Sequence, residues 1–169
     1  YEMSASLVGS EMCIRDSGYI EKRKSEMNLP IDYIAVHIRR GDKIVSREMK
    51  ELGLSLYIDA VKGKKHISRN VFIATDDGSV TDKLKSALVA EGFNVYWNTA
   101  VTQTGFDESL FNTKDKKSRY IDTLNMLLDM DILIHSSFFI GTYTSNVSRI
   151  VPLYVGFEKS LSLDDEWKL

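Results

Sequence analysis

One cysteine, Cys13, stands in 169 residues, which excludes an intramolecular disulfide and a multi-cysteine metal cluster. Only 2 prolines occur, Pro30 and Pro152. No proline-rich linker or low-complexity tract divides the chain, and the length suits one domain with a sizeable core. No apolar run approaches the roughly 18 residues of a membrane-spanning helix. Neither sign of charge is in excess: 22 Lys and Arg against 24 Asp and Glu give a net charge of −2. There is thus no general case for a nucleic-acid or membrane-surface partner, and any cationic site must be local. What remains, 43% hydrophobic and 27% charged residues, is ordinary for a globular domain.

Residues 6–17, running Ser-Leu-Val-Gly-Ser-Glu-Met-Cys-Ile-Arg-Asp-Ser, resemble translated read-through of a sequencing-library adapter. The segment 1–17 is therefore expected to be non-native and, like a fusion scar, to carry no fold information. The expected organisation is a Rossmann-like domain over 18–157 and a C-terminal tail over 158–169, with the upstream part of the protein missing.

The densest signal is Val36-His37-Ile38-Arg39-Arg40-Gly41-Asp42-Lys43. An apolar run from Tyr33 ends there in three cations within five residues. The run reads as a buried parallel strand, and in open α/β sheets ligands sit outside the carboxyl ends of strands. Arginine offers phosphate a planar fork and lysine a mobile point charge, so this end reads as a diphosphate site. Arg39 and Arg40 project to opposite faces if the strand persists. One then meets ligand, while the other braces the turn or pairs with Asp42. A surface arginine cluster is the ordinary alternative. Arg40-Gly41-Asp42 also spells a cell-adhesion tripeptide, which works at an exposed loop tip rather than at the end of a buried strand.

Elsewhere the chain alternates. Polar residues 21–28 favour a helix, stopped by Leu29-Pro30. Residues 55–61 read as a helix, 71–74 as a strand ending in Thr75-Asp76-Asp77-Gly78, and 79–91 as a helix capped by Ser79 or Thr81 and stopped by Gly92. Residues 94–98 read as a third strand and 99–117 as a long polar loop. A long helix follows over 118–134, with Ile121, Leu124, Leu128 and Ile132 on its apolar side. Residues 137–141 form a fourth strand, and Thr144-Ser145-Asn146 leads into a short helix. Strands alternating with helices predict an α/β fold: an open, mainly parallel sheet with flanking helices. Polar strand ends at Arg39/Arg40, Asp76/Asp77 and Thr144/Ser145/Asn146 then share one edge and converge.

Each of these groups has a plainer reading as well. Thr144, Ser145 and Asn146 offer an anion cradle at a helix start, or simple capping. Asp76-Asp77-Gly78 suits a turn. Asp122, Asn125 and Asp129 share a helix face, which is either solvated or able to accept N–H bonds from a guanine edge. Asp129 and Asp131 diverge on a helix and form no metal pair. His37 is expected to be buried and hydrogen-bonded, and His66 and His135 carry no specific signal. Asn146-Val147-Ser148 is a glycosylation sequon at an unsuitable strand-to-helix turn.

Together these motifs resemble the α-1,6-fucosyltransferases of glycosyltransferase family 23, whose catalytic domain has the GT-B fold. The family's His-x-Arg-Arg-x-Asp-Lys motif coincides with His37 to Lys43. Ala74-Thr75-Asp76-Asp77 resembles its second conserved stretch, Leu128-Asp129 and Thr144 to Arg149 its third, and Ser162 to Asp165 the segment after the catalytic domain. The resemblance implies the C-terminal half of an inverting, metal-independent enzyme without a cofactor, which binds the donor GDP-β-L-fucose. It transfers fucose in α-1,6 linkage to the core N-acetylglucosamine of N-glycans. Chitin-like or other oligosaccharides are the alternative acceptors, and a non-catalytic nucleotide-sugar or glycan-binding module is the alternative class. Partners are then GDP-fucose and a glycan or glycoprotein, with no nucleic acid. The location is the Golgi lumen for a eukaryotic source and the cytoplasm for a bacterial one.

By the same resemblance, Arg39 contacts the β-phosphate and stabilises departing GDP, while Asp42 and Lys43 order the reacting end. Ser145 and Asn146 meet the phosphates, Asp129 reads guanine and His37 lines the nucleotide site. Arg40, Asp76, Asp77 and Thr144 complete the donor-binding set. The family's basic glutamate falls four residues after the motif lysine, where this chain has Arg47. Glu48 is the nearest carboxylate and the implied base. Asn146 stands in place of a glutamine.

Overall fold

A computed structural model describes residues 17–41, 51–100 and 105–166. Helix α1 covers 17–27, followed by β1 (Ile34–Ile38), α2 (Leu54–Gly63), β2 (Asn70–Thr75), α3 (Gly78–Ala90) and β3 (Asn94–Trp97). Then come α4 (Glu108–Thr113), α5 (Lys116–Ile134), β4 (Phe138–Gly141), α6 (Asn146–Ile150), α7 (Pro152–Val155), a 3₁₀ turn (Phe157–Lys159) and β5 (Ser160–Ser162). The strands lie in the order β3-β2-β1-β4-β5, and every neighbouring pair is parallel. The expected α/β class and parallel sheet are what the chain forms.

Alternation along β1 distributes its side chains to two cores. Ile34, Val36 and Ile38 pack with Val71, Ile73 and Ile140 against Tyr57 and Val61 of α2 and Leu84 and Leu88 of α3. Tyr33 and Ala35 pack with Phe72 and Phe139 against Leu128, Ile132 and Leu133 of α5, with Ile20 of α1 and Val147 of α6 at the margin. A strand buried on both faces reads as a continuous apolar run, which is why it shows in the sequence.

Several local expectations are corrected. The residues after 157, expected as a tail, supply β5, which pairs with β4 from Phe139↔Ser160 to Gly141↔Ser162. Three residues are too few for a visible alternating pattern. The expected loop 99–117 contains α4 and the start of α5. Each has an aspartate N-cap: Asp107 accepts from Leu110 N, and Asp115 from Lys117 N and Ser118 N. Asp77, rather than Ser79 or Thr81, caps α3 by accepting from Ser79 N at 2.9 Å.

The length of α5 matters most for function. Its 19 residues span about 28 Å at 1.5 Å each, whereas strands of 4 to 6 residues reach only about 13–20 Å. Its C-terminal end is moored near the strand starts, where Ser137 N donates to Tyr33 O at 3.0 Å. The excess therefore emerges past the carboxyl ends of the strands. This explains why Ile121, expected in the core, is 37% exposed: no sheet lies beneath it.

Candidate functional site

The chain winds from β1 out to β3, returns, and continues through β4 to β5, so its direction switches between β1 and β4. Crevices at such switch points are where open α/β sheets take ligands. Here a cleft of about 570 Å³ opens at that place. Its walls are His37 and Arg39 at the end of β1, Thr75 and Asp76 at the end of β2, Thr144 to Val147 after β4, and the facing side of α5 from Asp122 to Leu133. A wider depression of about 760 Å³ runs beside β5, but among the described residues its lining includes Asp164, Asp165 and Glu166 and no cation. An anionic ligand belongs in the first.

Asp76 holds the floor of the cleft together. Its carboxylate accepts Arg40 N at 2.7 Å and Phe106 N at 3.0 Å, and lies 3.1 Å from Arg39 Nη1. Its carbonyl accepts Gly105 N at 3.0 Å. The Arg39 guanidinium also lies over the Phe106 ring, 5.1 Å from its centroid, a cation–π arrangement that fixes the plane of the fork. The two backbones meet at glycines. Gly41 has φ +68°, and a Cβ there would collide with Phe106 O. Gly105 has φ +94°, and a Cβ there would stand 2.6 Å from Gly41 Cα. Positive φ and this approach both require glycine.

Arg39 and Arg40 part as the pleat predicts. Arg39 enters the cleft. Arg40 turns to the α2 face, where Nη2 donates to Leu52 O at 2.9 Å and Nη1 lies 3.3 Å from Glu51 Oε1. Its side chain is absent from the described cleft wall. Asp77 is likewise turned away, committed to capping α3. Asp42, Lys43 and Glu48 lie outside the described residues.

Asp129 sits in the α5 wall with Oδ1 sealed from solvent and, among the described residues, without a hydrogen-bond partner. Burial raises its pKa from the usual carboxylate range to about 7, and the Asn98 amide only partly opposes this. Asp131 leaves the opposite way to bind Lys24 Nζ at 2.7 Å, as expected of diverging positions. Asn125 is 8% exposed and accepts from Tyr19 Oη at 3.2 Å. Its stripe therefore lines a cleft rather than a solvated face. Asp122 forms a rim ion pair with Lys114 at 2.6 Å.

His37 is buried, as expected, and its Nδ1 lies 2.6 Å from Ser148 Oγ. Burial and then the neighbouring Arg39 charge lower its pKa to about 3, so the ring is neutral. Thr144, Ser145 and Asn146 reach the cleft, and Ser145 precedes α6 without a side-chain capping bond. Their turn is held by Asp164, just past β5. That carboxylate accepts Tyr143 N at 2.6 Å, Thr144 N at 3.2 Å, and the Thr144 and Ser162 hydroxyls.

Burial would raise the Asp164 pKa, but these bonds outweigh it and hold the group below its ordinary value. A lowered folded-state pKa means stability that is present above the ordinary carboxylate range and lost as pH falls through the lowered, folded-state value. Asp164→Asn should therefore cost on the order of 1 kcal/mol at pH 7, a figure held down by solvent screening of this exposed group, and less at pH 3. Thermal melts at the two pH values check this, and an equal cost at both would contradict it.

Sequence reasoning missed Phe106 and Phe111, whose rings pack at 5.5 Å beside Arg39, and the buried Asn98 beneath Asp129. An isolated aromatic in a polar loop carries no periodic signal. Among the described residues no group of three or more His, Cys, Asp or Glu side chains is placed to hold a metal, and no helix is long and apolar enough to cross a membrane.

No protein-family model and no curated protein matches the sequence. Solved structures do match in fold. The NodZ α-1,6-fucosyltransferase co-crystallized with GDP, a protein from Bradyrhizobium, is 22% identical with a TM-score of 0.52. That match covers 86% of this chain and 42% of NodZ. POFUT1 in complex with GDP-fucose is 15% identical with a TM-score of 0.56, over 92% of this chain and 46% of that one. The chain thus spans less than half the length of these structures, and what it shares with them is the fold.

Proposed function

We propose that this chain is the donor-binding half of a fucosyltransferase and takes GDP-β-L-fucose in the cleft between the strand ends and α5. One observation carries the reading. The cleft that contains the Arg39 guanidinium also contains Asp129, a carboxylate with a sealed oxygen that has no hydrogen-bond partner among the described residues. A buried acceptor without a donor is costly to leave unpaired. A base edge presenting two N–H groups, as guanine does, satisfies it, while Arg39 takes the diphosphate. The fold shared with structures crystallised with GDP and GDP-fucose supports the same reading.

In the longer protein, the acceptor hydroxyl attacks the anomeric carbon as the bond to the β-phosphate oxygen breaks, inverting the centre. Arg39 stabilises the charge gathering on departing GDP. Glu48 takes the hydroxyl proton, a role worth roughly 10²–10⁴-fold. No metal enters this reading. The linkage is α-1,6, with the core N-acetylglucosamine of an N-glycan or a chitin-like oligosaccharide as acceptor. The compartment follows the source, Golgi lumen or bacterial cytoplasm. This chain alone binds donor without turning it over.

Calorimetric titration with GDP, against UDP and GMP, tests the reading. Preference for GDP over both supports it, and folded protein that binds none of the three would overturn it. Proton linkage gives a sharper check. Asp129 is protonated in the free cleft below pH about 7, and N–H donors require it ionised. Affinity should therefore fall by up to tenfold per unit as pH drops below 7. The terminal phosphate of GDP also titrates near 6, so the difference between the wild type and Asp129→Asn is the readout. Parallel pH profiles would remove Asp129 from base recognition.

A further inference from the structure

Ser148 lies in the first turn of α6 and is wholly buried. Room for it exists only because residue 141 is glycine: a Cβ there would stand 2.7 Å from Ser148 Oγ and 2.6 Å from Phe139 Cζ. Among the described residues, the hydroxyl's one hydrogen-bond partner is His37 Nδ1, at 2.6 Å. A hydroxyl sealed from water must place its hydrogen on an acceptor or lose the full desolvation cost. The acceptor present is Nδ1.

We infer that Ser148 is a positioning residue: by donating to His37 Nδ1 it fixes the imidazole proton on Nε2 and turns a neutral N–H donor toward the cleft. A neutral imidazole carries one donor and one acceptor nitrogen, and the bond made by one decides the role of the other. The reverse arrangement, with Nδ1–H donating, would strand the serine hydrogen and present a lone pair to the cleft. With Arg39 beside it, a lone pair there would be idle toward an anion, whereas an Nε2–H adds a donor that carries no charge. The ligand it suits is an acceptor oxygen, on ribose or phosphate, of a nucleoside diphosphate. That ligand assignment rests on the proposed function, while the tautomer does not.

Long-range ¹H–¹⁵N spectra at neutral pH report the tautomer directly. The chain has 3 histidines, and His66→Gln and His135→Gln variants assign the His37 signals. The expected result for the wild type is a protonated Nε2 and a bare Nδ1. In Ser148→Ala the ring should become a mixture of tautomers and GDP affinity should fall about tenfold, the loss of one neutral hydrogen bond. Ser148→Cys, with nearly the same shape and a weaker donor, should fall between. A wild type protonated at Nδ1 would overturn the inference with no variant needed. So would Ser148→Ala that keeps Nε2–H and full GDP affinity. A wild type showing the Nε2–H tautomer but no GDP binding would overturn the nucleotide reading and leave the positioning role standing.

Discussion

Asp76→Ala is expected to destabilise the protein by about 3–5 kcal/mol, measured as a shift of denaturant midpoint at constant slope. The side chain is 11% exposed and joins three segments that the chain does not connect locally. They are its own strand end after β2, the turn after β1 through Arg40 N and the Arg39 guanidinium, and the segment before α4 through Phe106 N. Truncation strands two backbone donors and removes the counter-charge of a partly buried cation. Each stranded donor costs about 1–3 kcal/mol. The glycine contact at 41 and 105 adds no compensating bond, since those backbones touch only because they lack side chains. Asp76→Asn should be intermediate, because its amide oxygen accepts one N–H while its NH₂ faces another donor. A change below about 0.5 kcal/mol in Asp76→Ala, the scatter of ordinary surface substitutions, would mean that the junction is held by something else.

Arg39→Ala should lower GDP affinity on the order of a hundredfold while leaving guanosine affinity nearly unchanged. Charge-assisted bonds to a phosphate contribute about 1.5–3 kcal/mol each, and a factor of ten corresponds to 1.4 kcal/mol. The contrast between nucleotide and nucleoside isolates the phosphate end from the base end. Arg39→Lys should recover only part, because lysine lacks the planar fork that Asp76 and Phe106 hold in orientation. Unchanged GDP affinity in Arg39→Ala would show that the guanidinium serves Asp76 alone. Glycan binding that persists in this variant and ignores GDP would favour a lectin-like module.

Much of this is legible in the linear chain, because each readable feature has a short-range cause. Strands buried on both faces must be apolar throughout, so β1, β2 and β4 show as runs. Their polar ends are visible because a buried strand cannot tolerate such residues earlier. Parallel pairing then brings those ends to one edge, and the convergence of Arg39, Asp76 and Ser145 follows. The opposite directions of Arg39 and Arg40 follow from the pleat itself.

What the sequence could not decide depends on which distant groups meet. The pleat says that the two arginines diverge, but only packing against α2 shows that Arg40 is the one turned away, to Leu52 O. A turn-forming Asp76 and a bracing Asp76 look alike until Phe106 arrives from 30 residues on. Ser148 reads as the third residue of a sequon until β4 and α6 bring it onto His37, 111 residues earlier. Asp129 belongs to a polar stripe that suits solvent, and it lines a cleft only because α5 packs across the strand ends beside Thr144 to Val147. Local sequence thus determined which segments are buried and where each must stop. Tertiary structure alone decided which stops face one another, because hydrogen bonds across the fold carry no trace in the periodicity of either partner.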